Sequence, residues 1–177
     1  MSLQPHDMDQ DGDLDILASD RKGANRGVLW LENPGISSAA THGAWNEHRA
    51  GPGEREVMFL TVADFGPPVG RAVVCAVKGR GITIYYRSSD NPQHWTTHEI
   101  AMPEDCGTGK GVAVTDVDRD GRLDVIFTCE NASGGKSGVR WLSYRDSILD
   151  PVWQEHEISG AEGVKFDRIE LLDLDLD

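Results

Sequence analysis

Apolar residues in this chain fall in short runs bounded by Gly, Asp and Pro, the pattern of strands rather than helices. The runs recur. Gly27-Val28-Leu29-Trp30-Leu31 is answered by Gly81-Ile82-Thr83-Ile84-Tyr85 and by Gly138-Val139-Arg140-Trp141-Leu142. A Trp-x-x-His segment follows each time, from Trp45 to His48, Trp95 to His98 and Trp153 to His156. Ahead of these markers stands an aspartate: Asp7, Asp64 and Asp116, with Asp173 opening a further round. The steps between those aspartates are 57, 52 and 57 residues. Three markers that keep their order through three units define a repeat.

Each unit divides into four predicted strands. The first precedes the aspartate segment (Val57–Asp64, Gly111–Asp116, Phe166–Asp173) and the second follows it (Asp15–Ala18, Ala72–Val77, Asp124–Cys129). The third carries Gly-x-x-Trp or Gly-x-x-Ile, and the fourth carries Trp-x-x-His. Side chains two apart on a strand share a face, so Val28/Trp30, Ile82/Ile84 and Val139/Trp141 are expected to fill the layers between neighbouring units. Four short strands per repeat of this length predict an all-β fold, a β-propeller fragment of about three four-stranded blades. The expected division is residues 1–51, a partial blade lacking its first strand; 52–102 and 103–160, two whole blades; and 161–177, the first strand and truncated loop of another. Propellers close with four to eight blades, so the chain is expected to be a piece of a longer one.

Charge changes the picture only by its location. The chain carries −13 overall, from 30 acids and 17 bases. Five of those acids are Asp7, Asp9, Asp11, Asp13 and Asp15, four are Asp116, Asp118, Asp120 and Asp124, and three are Asp173, Asp175 and Asp177. Outside these runs the acids and bases nearly balance. No basic stripe suggests nucleic acid. No apolar stretch is long enough to span a membrane, and Met1–Gln10 is too polar for a signal peptide.

The aspartate runs carry the clearest chemistry. Asp7-Met8-Asp9-Gln10-Asp11-Gly12-Asp13-Leu14-Asp15 and Asp116-Val117-Asp118-Arg119-Asp120-Gly121-Arg122-Leu123-Asp124 place carboxylates at positions 1, 3, 5 and 9 with Gly at 6. Hard cations take several oxygen ligands, and glycine allows the loop to turn back round one. Calcium is the expected ion. Its expected ligands are Asp7, Asp9, Asp11 and Asp15 with the Asp13 carbonyl, and Asp116, Asp118, Asp120 and Asp124 with the Arg122 carbonyl. An EF-hand would need a glutamate at position 12, where Ala18 and Phe127 stand, and flanking helices instead of strands.

These loops resemble those of the FG-GAP/VCBS repeat family, in which Asp-x-Asp-x-Asp-Gly-x-x-Asp segments bind calcium between the first two strands of propeller blades. The companion Leu29-Trp30-Leu31-Glu32-Asn33-Pro34-Gly35 and the Trp-x-x-His strand resemble a bacterial branch with secreted and surface members. The resemblance implies an extracellular, cell-surface or periplasmic setting. It also implies a module for adhesion, ligand recognition or scaffolding, with an unidentified protein or carbohydrate as ligand. Missing blades or a second copy are expected to cover its open edges. The alternative is part of a propeller-type carbohydrate lyase or dehydratase. The middle unit departs from the pattern: counting from Asp64, positions 3, 5 and 9 are Gly66, Pro68 and Ala72, so no ion is expected there.

The remaining candidates carry less. His48, His98 and His156 repeat at one phase, which suits packing better than a convergent catalytic site. The tryptophans at strand phase suit the core better than a sugar platform. Met58, Lys110 and Asp167, with Lys165 and Arg168, are expected at strand entries near the central channel and one rim, where they could face a ligand. Cys75, Cys106 and Cys129 form no paired framework by spacing, and Cys75 and Cys129 are expected to be buried free thiols.

Overall fold

The computed structural model describes residues 2–35, 44–79, 81–88, 91–162 and 166–175. It is all-β, with three four-stranded antiparallel sheets and one short 3-10 turn at Gly160–Glu162. The first sheet runs β1 (Leu3–His6), β2 (Asp15–Asp20), β3 (Gly27–Glu32) and β4 (Asn46–Ala50) in sequence order. The second is β5 (Val57–Asp64), β6 (Arg71–Val77), β7 (Gly81–Ser88) and β8 (Asn91–Ile100). The third is β9 (Thr108–Thr115), β10 (Asp124–Glu130), β11 (Val139–Ser143) and β12 (Gln154–Glu157). Each is a meander, and together they make a propeller-like arc of three blades that does not close.

The repeat markers are cross-strand partners. Trp30 pairs with His48, Ile84 with His98 and Trp141 with His156 in the ladders between third and fourth strands. In the first and third sheets the imidazole stacks on the indole, with ring centroids 4.2 and 3.8 Å apart. Directly opposed side chains lie close enough for such stacking, which fixes the register of the pair. The histidines thus sit on three separate sheets as packing elements.

Burial follows the two-residue period. Leu17, Val28 and Trp30 of the first sheet pack against Val57, Val73, Cys75, Val77 and Tyr85 of the second. Met58, Val74, Ala76, Ile82 and Ile84, on the other face of that second sheet, pack against Val112, Val125, Phe127 and Leu142 of the third. The middle sheet is therefore apolar on both faces, and β6 is buried from Ala72 to Val77. The expected interblade layers form at Val28/Trp30 and Ile82/Ile84. Val139 and Trp141 differ: their face is outermost in the arc and they stay half-exposed.

Two strand expectations are corrected. The first sheet does not lack its first strand, because Leu3–His6 pairs with Asp15–Ala18. Pro5 fits this strand because β1 lies at the sheet's edge, where a missing N–H costs no ladder bond. Conversely, Phe166–Asp173 forms no ladder with any described residue. Its placement is still that of a fourth inner strand. Arg168, Ile169 and Glu170 line a cavity of about 380 Å³ together with residues of β1, β5 and β9. Asp177 and Lys165 lie outside the described residues.

Phe127 is fully buried between the second and third sheets. Phe127→Ala is expected to lower unfolding free energy by about 3–5 kcal/mol in urea denaturation. Leu172→Ala, at a side chain 73% exposed, should stay within about 0.5 kcal/mol of the parent.

Candidate functional site

Both aspartate runs join an inner strand to the second strand of the same sheet, Asp7–Asp15 between β1 and β2 and Asp116–Asp124 between β9 and β10. The loops turn by the same device. Residues at position 4, Gln10 and Arg119, take φ of 69° and 61°, and the position-6 glycines, Gly12 and Gly121, take 99° and 87°. Left-handed backbone at two positions curls the chain so that its amides point inward.

Those amides meet the aspartates in one shared scheme. The position-6 amide donates to the first aspartate, Gly12 to Asp7 Oδ2 at 3.2 Å and Gly121 to Asp116 Oδ2 at 2.9 Å. The position-5 amide donates to the position-3 carboxylate, at 3.2 Å for Asp11 to Asp9 and 3.3 Å for Asp120 to Asp118. The position-7 amide donates to the position-5 carboxylate, at 3.0 Å for Asp13 to Asp11 and 2.8 Å for Arg122 to Asp120. Position 2 donates to position 9, with Met8 to Asp15 Oδ2 and Val117 to Asp124 Oδ2 both at 2.8 Å. Asp15 and Asp124 are each 1% exposed, so the ninth position anchors the loop in the body of the sheet.

Carboxylate oxygens converge as a result. Asp7, Asp9 and Asp15 bring one oxygen each within 4.8 Å of one another, and so do Asp116, Asp118 and Asp120. Asp11 and Asp124 stand outside these triplets, although they accept amides, from Asp13 and Val117, just as the converging carboxylates do. Asp120 also pairs with the Arg122 guanidinium. Asp13 Oδ1 is shielded from solvent without a hydrogen-bond partner. Loss of water, then crowding by neighbouring carboxylates, raises the Asp9, Asp13 and Asp124 carboxyls above the usual range.

Three residues support the first loop that spacing alone did not single out. Asn33 donates its amide to Asp15 Oδ1 at 2.8 Å and its side chain to the Leu14 carbonyl at 3.2 Å. Two arginines reach over from the second sheet: Arg71 donates to the Asp7 carbonyl at 2.8 Å and Arg87 to the Met8 carbonyl at 3.2 Å. Arg87 also lies over the rings of Trp95 and Trp30, 4.7 and 5.5 Å from their centroids. The available signal was an isolated base at the head of one apolar strand and at the tail of another.

The middle unit closes its turn with backbone bonds instead of carboxylates. Gly70 donates to the Gly66 carbonyl at 2.7 Å, and Asp64 accepts only the Gly66 amide at 2.9 Å among the bonds described. The rim candidates resolve differently. Met58 is core. Lys110 and Asp167 do meet: the Lys110 ammonium lies 2.7 Å from both Glu130 and Asp167, and those bonds raise its pKa. Lys110 is thus a pin between β9, β10 and the following segment. Arg168 pairs with Glu170 at 2.8 Å in the open.

Comparison with family models, with curated proteins and with solved structures gave no match. The loops stand on their own geometry.

A Cβ at Gly121 would have nothing within 4 Å, so backbone strain alone sets the cost of filling it. Gly121→Ala is expected to lose about 1–2 kcal/mol of stability in chelator-containing buffer. Gly121→Asn should lose less, because Asn tolerates positive φ; thermal denaturation of both variants checks the order.

Proposed function

We propose that this chain is a calcium-binding β-propeller module of the FG-GAP/VCBS kind, serving in adhesion, ligand recognition or scaffolding. The observation that carries the reading is the shared scheme of the two loops, each gathering three carboxylate oxygens within 4.8 Å. Calcium–oxygen bonds of about 2.3–2.6 Å keep opposite ligands roughly 4.6–5.2 Å apart, so the triplets fit one ion each. The donors are all hard oxygens, with no imidazole or thiolate among them, which favours calcium over zinc or copper.

Asp7, Asp9 and Asp15 would hold one ion, with Asp11 and the Asp13 carbonyl completing its set. Asp116, Asp118 and Asp120 would hold the other, with Asp124 and the Arg122 carbonyl. Bound calcium supplies positive charge to carboxylates that otherwise repel one another, and so acts as a staple between first and second strands. The family reading also supports an extracellular, cell-surface or periplasmic setting and a protein or carbohydrate ligand. Among the described residues no helix is long and apolar enough to cross a membrane.

The half-exposed face of Val139 and Trp141 bears on partners. The corresponding faces of the other two sheets are each covered by the next sheet, so a further blade or a second copy is the expected cover here.

Calorimetric titration of chelator-stripped protein is expected to give two calcium ions per chain. Asp120→Ala should reduce this to one, and Asp64→Ala should leave it at two. Absence of calcium heat, or two ions in the Asp120 variant, would overturn the reading.

A further inference from the structure

We propose that a cavity at the junction of the first two sheets binds a small hydroxylated carboxylate, of the size of one sugar-acid ring. This names a site and a ligand class for the carbohydrate-recognition reading, and rests on that reading. The cavity has a volume of about 250 Å³, below the usual range for drug-sized ligands, so it suits a single ring. From the first sheet, Trp30 and Glu32 of β3 and His48 and Arg49 of β4 line it. From the second come Arg87 of β7 and Trp95 of β8. Asp9 of the first aspartate loop also borders it.

The two arginines of this cavity have donor capacity to spare. Arg49 gives one terminal nitrogen to the Asn25 carbonyl at 3.3 Å, and Arg87 gives one to the Met8 carbonyl at 3.2 Å. Neither forms an ion pair among the described residues, whereas Arg55, Arg122, Arg140 and Arg168 each hold a carboxylate. Glu32, the acid on the same side as Arg49, is already bonded to His48, Oε2 to Nε2, at 2.6 Å. A guanidinium only donates, and its planar fork matches a carboxylate. The unspent capacity therefore calls for an anionic acceptor. Glu32 and His48, both partly exposed, are left to meet ring hydroxyls. The half-buried Trp95 indole, 4.7 Å from the Arg87 guanidinium carbon, offers apolar surface to the body of the ring.

These groups do not belong to the repeat. Aligned on the glycine that opens each third strand, Glu32 is matched by Tyr86 and Ser143, and Arg87 by Asn33 and Tyr144. Counted from the Trp-x-x-His marker, Arg49 is matched by Glu99 and Glu157. The second junction is accordingly built another way. Tyr144 packs edge-on against Trp153, ring centroids 4.9 Å apart, and Glu99 pairs with Arg55. Positions that only pack two sheets together recur from unit to unit, but the two spare bases occur at one junction alone. An ion held by Asp7, Asp9 and Asp15 would take up the Asp9 charge and leave those bases to set the local potential.

The test is an NMR titration of the 177-residue chain, with calcium present, against glucuronate and against glucose, which keeps the hydroxylated ring but lacks the carboxylate. The indole N–H signals of Trp30 and Trp95 are expected to shift and saturate with glucuronate and to stay in place with glucose. Arg49→Met, at an exposed side chain, should raise the glucuronate Kd at least about tenfold while its amide spectrum elsewhere is kept. Arg145→Met, at an exposed base outside the cavity, should bind like the parent. No saturable shift at the two indoles, or an unchanged Kd in the Arg49 variant, would overturn the proposal. Equal binding of glucose would also overturn it, although the carbohydrate reading would survive. Two calcium ions on a chain that ignores glucuronate would remove this site and leave the ion reading standing.

Discussion

A buried carboxylate at the head of a strand is the constraint on which the two aspartate loops depend. Asp15 and Asp124 are each 1% exposed, and each accepts the amide of the residue at position 2 at 2.8 Å. An ionised carboxylate removed from water must be compensated, or the fold carries a penalty of several kcal/mol. One hydrogen bond does not supply that much. In the first loop Asn33 adds a second amide, yet the nearby charges of Asp13, Asp11 and Asp9 are all negative. The position-9 group therefore does two jobs. It ties the loop to the strand, and it creates a demand for positive charge at the point where the other carboxylates gather.

Interblade packing is linked to that demand at the first loop. Met8, whose amide binds Asp15, belongs to the apolar layer between the first two sheets. Arg71 and Arg87 cross the same boundary to reach the Asp7 and Met8 carbonyls. Arg71 occupies position 8 of the middle unit, where both intact loops carry leucine. The unit that has lost its carboxylates thus lends a base to its neighbour's loop. The second loop has no counterpart to these cross-sheet bonds among those described, and relies on its own Arg122 beside Asp120.

Much of the fold was legible because its signals repeat. Period-two alternation and the order of three markers disclosed four-stranded units, and the structure shows why the markers travel together: Trp30 stacks on its partner His48, and Trp141 on His156. Less was legible where a strand is defined by its neighbour. Leu3–His6 contains Pro5 and only one aliphatic residue, yet it is a strand because Asp15–Ala18 offers a ladder. Phe166–Asp173 has the better pattern but forms no ladder with any described residue. The aspartate spacing foretold two convergent loops without foretelling which side chains face inward. Asp11 and Asp124 stay apart while three others in each loop converge. Contacts between distant segments, such as Arg71 to Asp7, leave no periodic trace.

A loop geometry built to surround a cation must show that cation between its carboxylates. Diffraction from crystals grown with calcium, recorded at a wavelength where calcium scatters anomalously, tests it most directly. Two anomalous peaks are expected, one among Asp7, Asp9 and Asp15 and one among Asp116, Asp118 and Asp120. Each should lie about 2.3–2.6 Å from its oxygen ligands, with no peak beside Asp64. Empty loops at millimolar calcium, or a peak at Asp64 alone, would contradict the account.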